Sequence, residues 1–274
     1  MTTSHRTKAD QGHVVSADGT TIAYTRIGSG PALIIVDGAL CYRAFGPSTA
    51  MARALADRFT VYTYDRRGRG ESGAAATHDV AREVEDIAAL VEEAGGSAHL
   101  FGMSSGGTLV AEAAHRGVAA GRIAIYESPM VVDGTREPMA EDLPDRVARA
   151  VAEGRRGDAV RLFMRYVGTP GFFVAVLPLM PPWRKLKGVA HTLPHDFALV
   201  GEFQRATPPA ADRWAGADVP ALVIAGGKSP EYLRNAQRHL ASALPKGELT
   251  VLPGQTHMVK ADVTAPVLAE FFTR

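Results

Sequence analysis

The chain has a single cysteine, Cys41, so no internal disulfide is available, and no C-x-x-C or Cys/His spacing offers a zinc site. It also lacks an excess of either charge, with 30 Lys and Arg against 29 Asp and Glu and a formal net charge of +1. Nothing in that balance draws the protein toward nucleic acid or an acidic membrane, and no basic stripe is interleaved with aromatics. Nowhere does an apolar run reach the roughly 18 residues a membrane span needs. The opening "MTTSHRTKADQGH" carries no apolar leader segment. Internal repeats and low-complexity tracts are missing as well. These absences point to a cytoplasmic protein whose partner is a small molecule, and they leave the oligomeric state open.

What is present is a chain of 274 residues, 46% of them hydrophobic, enough for a sizeable core in one or two domains. Residues 13–28 alternate in β fashion on both sides of Asp18-Gly19, which predicts an antiparallel edge pair. Six short apolar runs follow, at 32–38, 59–65, 98–103, 122–128, 220–227 and 247–254, and read as strands buried on both faces. Helical patterns separate most of them. In "DVAREVEDIAALVEEAG", Val80, Val84, Ile87, Ala88 and Val91 form the inward stripe, leaving Arg82, Glu83, Glu85 and Asp86 for the other side. Alternating strands and helices predict a mostly parallel, doubly wound α/β sheet.

The 122–128 and 220–227 runs are separated by about 90 residues, too many for an ordinary connection. This stretch contains "LPDRVARAVAEGRRGDAVRLFMRYV" and the apolar, proline-interrupted "TPGFFVAVLPLMPPW", which are too rich in branched and aromatic residues for a disordered linker. The expectation is a core built from 1–132 and 207–274, with a helical cap at 133–206 over the carboxyl ends of the strands, where open α/β sheets bind ligands. Some of Phe172, Phe173, Leu177, Leu179, Met180, Trp183 and Phe197 would line a cavity under such a cap, the others forming its own core.

"GMSSG", Gly102 to Gly106, fits G-x-S-x-G between a predicted strand and a predicted helix. A serine on so sharp a turn needs small neighbours, and the next N–H, from Ser105, lies at the positive end of a helix. Taken alone, the pattern also describes a glycine-rich turn or a phosphate-binding loop. With "VDGA" after the third strand, "YDRRGRGES" after the fourth and "PGQTHMV" near the end, however, the chain resembles the α/β-hydrolase superfamily over nearly all its length apart from the cap.

That resemblance implies an α/β-hydrolase fold with an eight-stranded sheet, Ser104 as nucleophile and His257 as base. It also implies an oxyanion hole made by the backbone N–H groups of Ala39 and Ser105. Asp37 stands where the family usually has histidine. The family's usual aspartate after the seventh strand is missing, since Ser229 occupies its place. The carboxylate is instead expected from Glu127 at the end of the sixth strand, as in some haloalkane dehalogenases, with Glu231 as the alternative. Those dehalogenases use an aspartate nucleophile, which Ser104 argues against here.

"YDRRGRGES" reads as a structural loop, with Asp65, Arg66 and Ser72 bonding backbone. Cys41, Tyr42 and Arg43 would border the cavity, and Cys41 has no histidine of its own. Of the other histidines, His5 and His13 lie near the terminus, and His78, His99, His115 and His239 fall on helices, a strand or a far loop. His191, His195 and Asp196 belong to the cap, in surface or capping roles.

The function expected is a cofactor-independent serine hydrolase that uses no metal and acts on an ester, thioester or lactone of a small, largely apolar molecule. A lyase, cyclase or cofactor-free peroxidase on the same site, and a non-catalytic binding protein, are the alternatives.

Overall fold

In a computed structural model that describes residues 9–75 and 78–274, the predicted strands form one eight-stranded sheet. His5 lies outside the described residues. The strands are β1 (Asp10–Val15), β2 (Thr21–Gly28), β3 (Ala32–Val36), β4 (Thr60–Tyr64), β5 (Ala98–Met103), β6 (Ala120–Tyr126), β7 (Ala221–Gly226) and β8 (Gly247–Leu252). Their order is β1-β2-β4-β3-β5-β6-β7-β8, with β1 and β2 antiparallel and β3 to β8 parallel. Asp18 and Gly19 sit in the β1–β2 connection as expected. Gly19 adopts φ +84°, and the Asp18 side chain accepts from Thr20 N at 3.0 Å.

The apolar runs are continuous because both faces of the sheet are covered. Ile34 and Val36 of β3 belong to one apolar cluster, while Leu33 and Ile35 belong to the other. The first face carries α2 (Val80–Glu93), α3 (Ser105–His115) and α9 (Glu231–Ala243); the second carries α1 (Ser48–Leu55) and α10 (Ala261–Thr273). Every residue of α3 except His115 is buried, which explains its small, alanine-rich sequence.

The stripe on α2 is wider than its apolar spacing implies. Glu83 and Asp86, expected on the solvent side, are 2% and 1% exposed. Each is neutralised by an arginine of the loop after β4: Arg66 grips Glu83 at 2.6 and 2.8 Å, and Arg67 grips Asp86 at 2.8 and 2.6 Å. Periodicity scores a carboxylate as polar and cannot register a partner that distant sequence supplies.

Between β6 and β7 lie α4 (Leu143–Ala152), α5 (Arg156–Tyr166), α6 (Gly171–Val176), α7 (Trp183–Val189) and α8 (Leu193–Val200). Leu143, Val147, Val160, Leu186 and Phe197 form a third apolar cluster with Leu40 of the loop after β3. Leu199, Val200 and Phe203 pack into the first face's cluster instead, so the division between clusters falls within α8. Val131 N and Met139 N donate to Phe203 O and Gln204 O at 2.8 and 2.9 Å, joining the two ends of this insertion.

Candidate active site

Ser104 follows β5 at φ +55° and ψ −128°, a conformation an L-residue adopts only under constraint. The constraint comes from its glycines. A Cβ on Gly102 would stand 2.3 Å from Gly106 O, and one on Gly106 would stand 2.3 Å from Val36 O. Ser104 N donates to Tyr126 O at 2.9 Å, and Ser104 O accepts from Gly107 N at 2.8 Å. The hydroxyl is thereby left at the carboxyl edge of the sheet.

Glu127 stands at the corresponding place after β6, also with positive φ, +46°. It is fully buried; Oε1 accepts from Gly226 N at 2.6 Å, and Oε2 meets His257 Nδ1 at 2.9 Å. Ser229 makes no such contact: its hydroxyl is buried without a hydrogen-bond partner, and a Cβ on Gly226 would stand 2.7 Å from it. Among the described residues, no contact joins Glu231 to His257.

Ser104, Ser105, Ala39 and His257 line one cavity of about 150 Å³, walled by Phe163, Tyr166, Val167, Phe197 and Val200. Ala39 is brought there by a close approach, since a Cβ on Gly38 would stand 2.9 Å from the Ser104 Cβ. Gly38 O accepts from Arg69 Nη1 at 2.6 Å. In a trans peptide the C=O and N–H point opposite ways, so Arg69 fixes the Ala39 N–H to point away from the guanidinium. Ser105 N, in the first turn of α3, has no acceptor within the helix.

Beneath these donors lies a buried ion cluster of two arginines and two carboxylates. Asp196 of α8, 2% exposed, accepts from Arg66 Nη1, Arg69 Nη2 and Ser105 Oγ, each at 2.8 Å. Arg66 also holds Glu83. Burial opposes charge on Asp196, but Arg69 and Arg66 outweigh it and keep the carboxyl below the ordinary carboxylate range. The surface or capping role expected of Asp196 is therefore corrected, because a cap carboxylate is the counter-ion of two core arginines. No sequence pattern signals this, since the partners lie 127 and 130 residues apart.

The remaining residues sort by contact. Asp65 accepts from Arg43 N and Glu71 N at 2.8 and 2.9 Å, and Ser72 Oγ joins Asp65 O to Ala23 N, so both bond backbone. Arg66 bonds mainly carboxylates rather than backbone. Burial pushes the Cys41 thiol up to about 12, which keeps it protonated at neutral pH. Asp37 is buried with neither oxygen hydrogen-bonded, and burial raises its carboxyl to about 6. His191 bonds Gly68 O at 2.8 Å; His195 stacks on His78 with ring centroids 3.7 Å apart, and burial lowers it to about 4.

Of the seven cap residues considered for the cavity wall, only Phe197 lines it. Leu177 and Trp183 pack in or against the third cluster, and Phe172, Phe173, Leu179 and Met180 are exposed. Much of the remaining wall comes from Phe163 and Tyr166 at the end of α5 and from Val167 just after it, in a segment that reads simply as charged helix. Among the described residues, no group of three or more His, Cys, Asp or Glu could hold a metal ion, and no helix is long and apolar enough to cross a membrane.

Eight strands in this order, a strained serine between strand and helix, and a histidine after the last strand define the α/β-hydrolase fold. Residues 28–265 match the Alpha/beta hydrolase family, and the chain belongs to it. It is similar to an α/β hydrolase from Sphaerobacter thermophilus DSM 20745, with 45% identity over 95% of this chain and all of that one, at a TM-score of 0.88. Two more distant structures share the fold. A thermophilic esterase from Thermogutta terrifontis is 18% identical over 96% of this chain and 98% of its own, with a TM-score of 0.66. An N-formylmaleamic acid deformylase from Pseudomonas putida S16 is 19% identical over 95% of this chain and all of its own, with a TM-score of 0.65. No curated protein matches the sequence.

Proposed function

We propose that this protein is a serine hydrolase that cleaves a carboxylic ester, or a thioester or lactone, through an acyl-enzyme. The observation that carries the reading is the 2.9 Å contact of His257 Nδ1 with buried Glu127, on the cavity that Ser104 also lines. With Nδ1 engaged, Nε2 is the nitrogen left to take the Ser104 proton. Glu127 holds that tautomer and stabilises the imidazolium as it forms. Attack by Ser104 Oγ on the carbonyl places negative charge on the former carbonyl oxygen, which the N–H groups of Ala39 and Ser105 receive. Protonated His257 then gives its proton to the leaving alcohol. Water, deprotonated by His257, cleaves the acyl-serine and restores the hydroxyl.

The test is intact-mass analysis after fluorophosphonate treatment, beside Ser104→Ala, with nitrophenol release from short acyl esters. One adduct on Ser104 that is lost in the variant, together with turnover, is expected. Absence of both the adduct and turnover overturns the reading in favour of a binding protein. Products formed in heavy-oxygen water separate hydrolysis from lyase or cyclase chemistry, since only hydrolysis must take up solvent oxygen.

A further inference from the structure

Among the described residues, the active-site cavity holds one cation that the chemistry above does not use. Arg136, in the segment between β6 and α4, lines the wall together with Tyr166, Tyr232 and Gln204. Its guanidinium carbon lies 4.9 Å from the Tyr166 ring centroid and 4.5 Å from that of Tyr232. Nη2 donates to Tyr166 O, the only hydrogen bond Arg136 makes among the described residues. A guanidinium has five N–H donors. Four of them therefore have no acceptor among the described residues.

The contrast with the other arginines of this site is sharp. Arg66 and Arg69, beneath the oxyanion loop, are neutralised by Glu83 and Asp196. Among the described residues, no carboxylate comes within ion-pair distance of Arg136. Asp196, the only carboxylate on the cavity wall among the described residues, is already held by two arginines and Ser105. Gln204 is held by two bonds, accepting from the Tyr166 hydroxyl and donating to Pro129 O. The rest of the wall near α5 and α8 is apolar, through Phe163, Val167, Phe197 and Val200, and offers an entering anion no competing side-chain donor there.

The two tyrosine rings restrain the guanidinium from swinging into solvent, as its long stem would otherwise allow. A planar donor fork fixed in position and lacking a counter-ion is suited to a planar anion that accepts two parallel N–H bonds. We infer that Arg136 is a specificity-determining residue that binds a carboxylate of the substrate, which makes the substrate an ester that itself carries a carboxylate. This deepens the serine-hydrolase reading and rests on it.

Two ester pairs of matched size place the charge on either side of the scissile bond. The acyl-side pair is 4-nitrophenyl hemiglutarate against 4-nitrophenyl valerate, and the alcohol-side pair is 3-acetoxybenzoate against 3-tolyl acetate. In Arg136→Gln, the charged-to-neutral ratio of kcat/KM should fall by about tenfold or more in at least one pair, with Arg136→Lys keeping part of the preference. Ratios unchanged by Arg136→Gln in both pairs overturn the inference.

Calorimetry with free glutarate and free 3-hydroxybenzoate reads the same site without catalysis. Binding of either that weakens about tenfold in Arg136→Gln supports the anion site even if Ser104 proves unreactive. Equal binding, or none by wild type at millimolar anion, overturns it. Failure of the hydrolase reading would instead appear as an unlabelled Ser104 and no turnover of any of the four esters.

Discussion

Glu127, one residue beyond β6, and His257, 130 positions later in the loop after β8, meet at 2.9 Å through Oε2 and Nδ1. The second carboxylate oxygen is occupied by Gly226 N at 2.6 Å, so the carboxylate cannot rotate away without leaving a buried N–H unpaired.

This contact makes Glu127→Gln informative. The glutamine can keep Gly226 N satisfied through its oxygen, but its amide N–H₂ then faces Nδ1 and favours the tautomer with the proton on Nε2, which cannot accept from Ser104. Steady-state kinetics on a nitrophenyl ester should show kcat falling about 10³-fold or more, with Ser104→Ala and His257→Ala lower still. Activity close to wild type would move the acid role away from Glu127.

Asp196→Ala should leave Arg69 with no ion-pair partner among the described residues and Arg66 with Glu83 alone. Removing one member of a buried ion cluster costs about 3 to 5 kcal/mol, and urea unfolding should register a loss of that order. If urea unfolding shifts by less than about 1 kcal/mol, then solvent reaches the cluster and the arginines need no cap carboxylate.

Gly106→Ala drives a methyl against Val36 O and Asp37 O, both backbone, so relief requires moving β3 away from α3. Insoluble protein or a loss above about 3 kcal/mol is expected. Gly188→Ala in α7 serves as the control: nothing lies within 4 Å of its added Cβ, and a helical glycine gains up to about 1 kcal/mol on becoming alanine. Equal effects of the two substitutions would contradict the close approach at the elbow.

Asp37 supplies a pH dependence whose sign follows from its raised carboxyl at about 6. Between pH 4 and 6 the folded protein keeps a proton that the unfolded chain has released. Stability therefore falls as pH rises through that window, by about 3 kcal/mol in all, and levels off above it. Asp37→Asn removes the titration, so its Tm advantage over wild type should grow between pH 4.5 and pH 7.5. A constant difference across that range would show that the folded Asp37 titrates normally.

The sequence by itself determined the sheet and the elbow, because both are written in local pattern. Continuous apolar runs are what strands covered on both faces require, and Gly102, Ser104 and Gly106 lie close enough in sequence for their steric demand to be read directly. The meeting of Glu127 with His257 was expected from the family resemblance. Ser229 left the usual acid position empty, and a glutamate stood at the end of the neighbouring strand.

Only the tertiary structure decided which polar groups are buried and what forms the cavity. By periodicity alone Glu83 and Asp86 face solvent and Asp196 belongs to the cap surface; in the fold Arg66 and Arg67 bury the first two, and Arg69 and Ser105 each hold Asp196 at 2.8 Å. The energy of a buried charge is set by a counter-charge that can lie more than a hundred residues away, and periodicity carries no record of it. The same holds for Arg136, which two tyrosines flank and which no carboxylate among the described residues pairs, and for the cavity wall, to which α5 contributes and α6 does not although α6 has the more apolar sequence.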